Sequence, residues 1–217
     1  MKSLDIFMPR VIPYVVGCTD PMAKQALVDA AVEFCVRTNA VWQQATLASR
    51  VGVAEYDIDV PAQMDVARVI EVYYGTARLR ANDRADVDDP LALRGAVNGS
   101  TPTSGTPAAF FAAHGEGTFK VYPVPDTATA LVFTVRASFT PTRNATQLDD
   151  VLYTKYIDVL ACGAIAYLAA IPGQMFTSKS AADYHRQKFN FGLSRAITDG
   201  RKGAVMSSTR VKARAFA

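Results

Sequence analysis

Cysteine is scarce in this chain: three among 217 residues, Cys18, Cys35 and Cys162, odd in number and far apart. That excludes a disulfide framework or a cluster of paired zinc thiolates, and it fits assembly in a reducing cytoplasm. Histidine occurs twice, at His114 and His185, and tryptophan once, at Trp42. No glycine-rich loop closes on Lys-Ser or Lys-Thr, and there is no dinucleotide fingerprint or nucleophile elbow. The sequence therefore nominates no cofactor and no metal, and we read it as a protein that is not an enzyme. A strong charge of one sign is also missing, since a net +3 is too small for a surface that binds nucleic acid throughout. The opening MKSLDIFMPRVIPYVV is broken by Asp5, Pro9, Arg10 and Pro13 and lacks the apolar run of a signal peptide. From Val151 to Ile171 the chain has about the length of a membrane span, but Lys155 and Asp158 interrupt it and basic anchors are absent. A buried helix is the expectation there.

Half of the residues are apolar and a fifth charged, the balance of a globular protein. Folded as one domain, a chain of this size buries about 70% of its unfolded surface. Charge is unevenly placed. Arg195, Arg201, Lys202, Arg210, Lys212 and Arg214 face a single acid, Asp199, giving the last segment +5 of the total +3 and leaving the rest at −2.

Pro9 and Pro13 oppose regular pairing, so residues 1–18 read as an extended arm. Thr19 or Asp20 as cap and Pro21 in the first turn start a helix over about 21–38, with Ala26, Leu27, Ala30, Ala31, Phe34 and Cys35 on its apolar side. Strands follow: Glu55 to Val60, Ala67 to Tyr74 and Phe119 to Tyr122, the last ended by Pro123 and Pro125. The clearest runs from Leu131 to Phe139, where apolar and polar residues alternate. Residues 81–118 collect Asp, Asn, Gly, Ser, Thr and Pro and read as a long exposed loop. Asp149 and Asp150 suit the start of the apolar helix that Pro172-Gly173 ends. Ser178 or Ser180 caps another, with a stripe of Ala182, His185, Phe189, Leu193 and Ala196 that ends before Asp199-Gly200. The fold class is α+β: a helical bundle (N-terminal helix plus two C-terminal helices) with a β-rich insertion and an extended C-terminal tail. The divisions are an arm at 1–18, a helical domain at 19–42 and 146–199, a β-rich domain at 43–145, and a tail at 200–217.

Isolated fragments of chemistry read better as structure. His114-Gly-Glu-Gly117 offers a base with no nucleophile or acceptor in view, so a solvated loop is the better reading than a hydrolase using His114 and Glu116. Asp83, Asp86, Asp88 and Asp89 lack the Gly and closing Glu of a calcium loop. His185 lies on its helix's apolar stripe as a hydrogen-bonded interior or interface residue. Cys35 and Cys162 are small core residues, and Trp42 packs where helix meets sheet. The basic tail lacks interleaved aromatics for base stacking, except Phe216, and reads as a peptide that orders on a protein partner.

In their order, these segments resemble the head-to-tail adaptor family of tailed bacteriophages, which includes the tail tubular protein A type of podoviruses. The pieces are Asn39-Ala-Val-Trp42, Tyr56-Asp-Ile-Asp-Val-Pro61, Val69-Ile-Glu-Val-Tyr73, Phe119-Lys-Val-Tyr-Pro-Val-Pro125, the strand to Phe139, and Leu148-Asp-Asp-Val-Leu152. Together they span roughly residues 20–198. The resemblance implies a structural protein of the virion neck, assembled in the host cytoplasm, with twelve copies ringed under the portal. It further implies a tail or nozzle protein below, genomic DNA passing through the lumen without sequence recognition, no membrane, and a C-terminal tail that grips the portal. On that reading Arg201, Lys202, Arg210, Val211, Lys212, Arg214 and Phe216 bind the portal. A helix apolar on most sides wants neighbours, which a ring supplies, making Leu152, Tyr156, Leu160, Gly163 and Tyr167 subunit-packing positions. Two other readings remain: a stopper or tail-terminator subunit, and a host-binding module that presents the loop 81–118.

Overall fold

A computed structural model describes residues 1–82, 104–112, 117–126 and 131–202, with only the helical backbone for Arg201 and Lys202. The chain opens with β1 (Lys2–Ser3) and two 3-10 helices, Leu4–Arg10 and Ile12–Tyr14. These correct the expectation of an extended arm. A 3-10 turn tolerates the fixed φ of proline, and Phe7, Val11 and Val15 are buried, Phe7 edge-on to Tyr153 at 5.5 Å. Burial of those side chains decides the conformation that the prolines leave open.

Helix α1 (Asp20–Thr38) has Pro21 in its first turn and ends on Asn39 in the left-handed region (φ 51°), whose N–H returns to the Cys35 carbonyl at 2.9 Å. The strands follow in order: β2 (Trp42–Ala48), β3 (Glu55–Asp57), β4 (Met64–Tyr74), β5 (Ala77–Arg78), β6 (Arg80–Ala81) and β7 (Ser104–Gly105). Then come β8 (Ala109–Phe111), β9 (Thr118–Tyr122), β10 (Val124–Pro125), β11 (Val132–Pro141) and β12 (Gln147–Leu148). One sheet has the order β2-β11-β4-β5 and a second β3-β9-β8-β6, with two small pairs, β1-β12 and β10-β7. Phe133 of β11 joins the two larger sheets, its ring lying 4.7 Å from Tyr56, 5.9 Å from Phe119 and 5.0 Å from Tyr74. The alternation read along β11 holds, with Phe133, Val135, Ala137 and Phe139 all buried.

Three strand expectations need correction. Pairing stops at Asp57, because the Ile58 N–H turns to the Gly117 carbonyl at 2.7 Å and Pro61 has no N–H to offer. Pairing resumes after Pro123, since Val124 and Pro125 run parallel to Ser104 and Gly105. Within 81–118, β8 contributes a buried Phe110 and lies between β6 and β9, so part of that stretch is sheet. The acidic cluster from Asp83 to Asp89 and the fragment His114 to Glu116 lie outside the described residues.

Helix α2 (Asp150–Ala169) is capped by Asp149, whose Oδ1 accepts the Val151 N–H at 2.8 Å. Helix α3 (Lys179–Lys202) follows Ser178, whose Oγ accepts the Ala181 N–H at 3.3 Å. It continues through Asp199-Gly200, past its expected end. All five residues of its apolar stripe are buried. Helix α1 packs on both α2 and β11, and α3 packs on α2, so one core runs from helices into sheet.

Two glycines set the helix spacing. A Cβ on Gly163 would lie 2.8 Å from Ala30 Cβ and from Phe189 Cε2, and one on Gly192 would lie 2.5 Å from Val159 Cγ1. At both points the backbone itself forms the contact surface.

Candidate assembly surfaces

Helix α2 is long and apolar enough to cross a membrane by length and composition alone. Its second half is covered within the subunit: from Leu160 to Ala169 only Cys162 and Tyr167 keep appreciable exposure. Leu152, Leu160 and Gly163 are likewise buried among this chain's own residues. Within the subunit, α1, α3 and the N-terminal 3-10 helix pack against α2. Of the five positions, Tyr156 is half-buried against Phe34 at 4.8 Å, and Tyr167 lies at the surface.

Tyr167 belongs to a knot of polar groups that ties the three helices. Glu33 of α1 accepts hydrogen bonds from both terminal nitrogens of Arg186 in α3, each at 2.8 Å. It accepts two more, from the Tyr167 hydroxyl of α2 at 2.5 Å and from Arg37 at 2.8 Å. Burial alone would raise the Glu33 pKa, but these donors outweigh it and hold the carboxyl below its ordinary range.

The helices and the segment before α1 also expose apolar side chains. Tyr14 and Tyr184 both stand edge-on to His185, at 5.4 and 5.2 Å. Met175, 93% exposed, lies in the α2–α3 connection against Gly17, where an added Cβ would stand 3.7 Å from its sulfur. Val16 and Phe191 are also exposed, at 71% and 73%. Lys188 lies 4.5 Å over the Tyr184 ring. Such a collection of aromatic and thioether groups is the composition of an interaction surface. His185, whose Nδ1 has no hydrogen-bond partner among the described residues, is held by packing alone and differs in that from the satisfied interior residue expected. Burial lowers its pKa, and Lys188 lowers it further.

A second surface lies on the sheet. Trp42 does not pack into the helix–sheet junction; it opens β2 at 52% exposure, with the Arg136 guanidinium 5.1 Å from its ring. Its cross-strand partner is Ser138, on the face of the sheet turned away from Phe133, which is why the core does not take it. On that face Glu71 bonds Arg136 at 3.2 Å and Arg78 at 3.1 Å.

Among the described residues no three His, Cys, Asp or Glu side chains gather to hold a metal. Cys35 is buried and its thiol is pushed up to about 12 by burial, then by Asp149. Arg201 and Lys202 form the end of α3, and Arg210, Val211, Lys212, Arg214 and Phe216 lie outside the described residues.

A search of curated proteins finds no match to this chain. The SU10 adaptor protein family matches residues 5–212, nearly the whole sequence and both surfaces. The order of segments read from the sequence thus agrees with an independent comparison, and the chain belongs to the SU10 adaptor protein family: it is a phage adaptor protein, a component of the virion.

Proposed function

We propose that this adaptor is the head-to-tail connector of its phage, a ring of identical subunits between portal and tail that performs no catalysis. Family membership over residues 5–212 is the observation that carries the reading. Within the family we liken it to the tail tubular protein A type, with twelve copies beneath the portal, a nozzle or tail protein below, and genomic DNA passing through the lumen without sequence recognition. The three helices serve as the bundle from which the β-rich segment is inserted.

A closed ring joins two different patches of each subunit. The exposed surface around Tyr14, Met175, Tyr184 and Phe191 suits one of them, because apolar groups left in water by one subunit gain by burial against the next. The basic segment from Arg201 to Phe216 reaches the portal. Deletion of residues 203–217 leaves a folded subunit and abolishes capture by purified portal; capture retained at full strength removes the tail from that role. Electron microscopy of virions labelled on this chain places it directly under the portal, and a position lower in the neck assigns it to a stopper or tail terminator.

A further inference from the structure

Helix α3 carries a second stripe, on its outer side. Tyr184, Lys188, Phe191 and Arg195 follow one another at intervals of four, three and four residues, the spacing of a single helix face. The buried stripe from Ala182 to Ala196 turns another side of the helix to the core, and these four are left exposed. Phe191 is the most exposed aromatic side chain among the described residues. Unlike tyrosine or tryptophan it has no polar end that water can reward. It lies between two cations, Lys188 and Arg195, which stand about 10 Å apart along the helix axis. Lys188 makes no ion pair among the described residues, and the one made by Arg195, to Asp199, is 3.9 Å long.

Beneath β2 lies a groove of about 380 Å3. Ala45 and Leu47 of β2, only half-covered, and Val135, Ala137 and Phe139 of β11 line it with apolar carbon, and Asp59 adds a carboxylate. An engineered apolar cavity of about 150 Å3 takes up benzene, so this groove has room for a phenyl ring. Asp57, two residues before Asp59, is exposed as well, and neither carboxylate makes an ion pair among the described residues. The strand above the groove, WQQATLA, has no charge of its own.

The two features are complementary. One is an apolar ring between two cations, and the other an apolar groove beside two carboxylates. No residue of α3 lines the groove of its own subunit. A pair of different patches that fit each other is what head-to-tail joining of identical subunits requires.

We propose, resting on the ring assignment above, that the α3 stripe of one subunit docks on the β2 groove of the next. Phe191 enters the groove, and Lys188 and Arg195 face Asp59 and Asp57. The contact has one buried aromatic as its anchor and a charged rim that fixes its register.

Zero-length coupling tests this on the wild-type chain. A carbodiimide activates a carboxylate, and a neighbouring amine in contact with it then forms an amide. Virions are treated, adaptor chains of doubled mass are recovered from a denaturing gel, and mass spectrometry identifies the joined peptides. The expected link is Lys188 to Asp59 or Asp57. Doubled chains linked only at other residues overturn this contact and leave the ring standing. Chains that all stay single overturn this contact and count against the ring as well. Lys188 joined to a different virion protein gives the stripe to that protein and overturns docking between copies.

A charge exchange gives a second reading. Asp59→Lys is expected to lower the amount of this chain incorporated per virion roughly tenfold, because Lys188 then meets a like charge. Lys188→Asp in the same chain should restore it. Both positions are exposed, so the core is left as it was. Full incorporation of the single variant, or no recovery in the double one, overturns the pairing.

Discussion

Arg186 grips Glu33 with two parallel hydrogen bonds, one nitrogen to each carboxylate oxygen, and so fastens α3 to α1 across a distance of 153 residues in sequence. Planar, two-pronged contact of this kind is specific to arginine. Glu33→Gln leaves one prong facing a neutral carbonyl oxygen and the other an NH2 group that cannot accept, and is expected to lower unfolding free energy by about 1 to 2 kcal/mol, a modest loss because Arg186 retains contact with water. Urea denaturation measures it, and Arg186→Lys loses a similar amount.

The same carboxylate has a pH signature. Its folded pKa lies below the ordinary 4.5, so the folded state favours the charged form. That contribution is complete above the unfolded value and disappears as pH falls through the folded one. Stability measured from about pH 6 down to about pH 3 should therefore fall less steeply in Glu33→Gln than in the wild type.

His185 works in the opposite chemical sense with the same direction in pH. Its pKa is lowered below 6.5 in the folded protein, so its neutral form is favoured there. Stability from this group is complete above 6.5 and is lost as the pH drops from 6.5 to the folded value, because the unfolded chain takes up the proton first. His185→Phe should flatten the stability profile between about pH 7 and pH 5.

The close approaches of α2 and α3 leave no room for a methyl group. Gly192→Ala places one against Val159, and the cost expected for an overfilled core is about 1 to 3 kcal/mol. Adding Val159→Ala should recover part of it. A thermal melt of the two variants beside the parent checks the pair, and non-additivity is the sign that these residues touch.

Cys35 is closed to reagents. With its thiol buried and its pKa pushed up to about 12, it should resist alkylation until the protein unfolds. Mass spectrometry of the chain after a brief exposure to iodoacetamide should find label on Cys18 and Cys162, both partly exposed, before any on Cys35.

What the sequence made legible was periodic. The five-residue stripe of α3, the alternation of β11 and the Pro21 and Asp149 helix starts are local patterns, and the structure carries each where its residues place it. What it hid was long-range. Nothing near Phe7 tells that Tyr153 waits for its ring, so Pro9 and Pro13 suggested an arm where packing makes a pair of 3-10 turns. The apolar circumference of α2 calls for neighbours, but composition cannot say whose; within the subunit Ala30, Phe189 and the N-terminal 3-10 helix supply them. The face that Trp42 takes depends on cross-strand register, which no single strand states. Glu33 gave no signal at all, since its partners at 167 and 186 are visible only once the helices meet.

The pairing of Lys2 with Leu148 and Ser3 with Gln147 has a consequence for the timing of synthesis. Lys2 and Ser3 cannot find their place until Gln147 and Leu148 have been made, and at about 5 to 20 residues per second that wait lasts many seconds. Through it Phe7 and Val11 stay in water beside a half-made α1, so this segment, made long before its partners, is among the last parts of the fold to be closed.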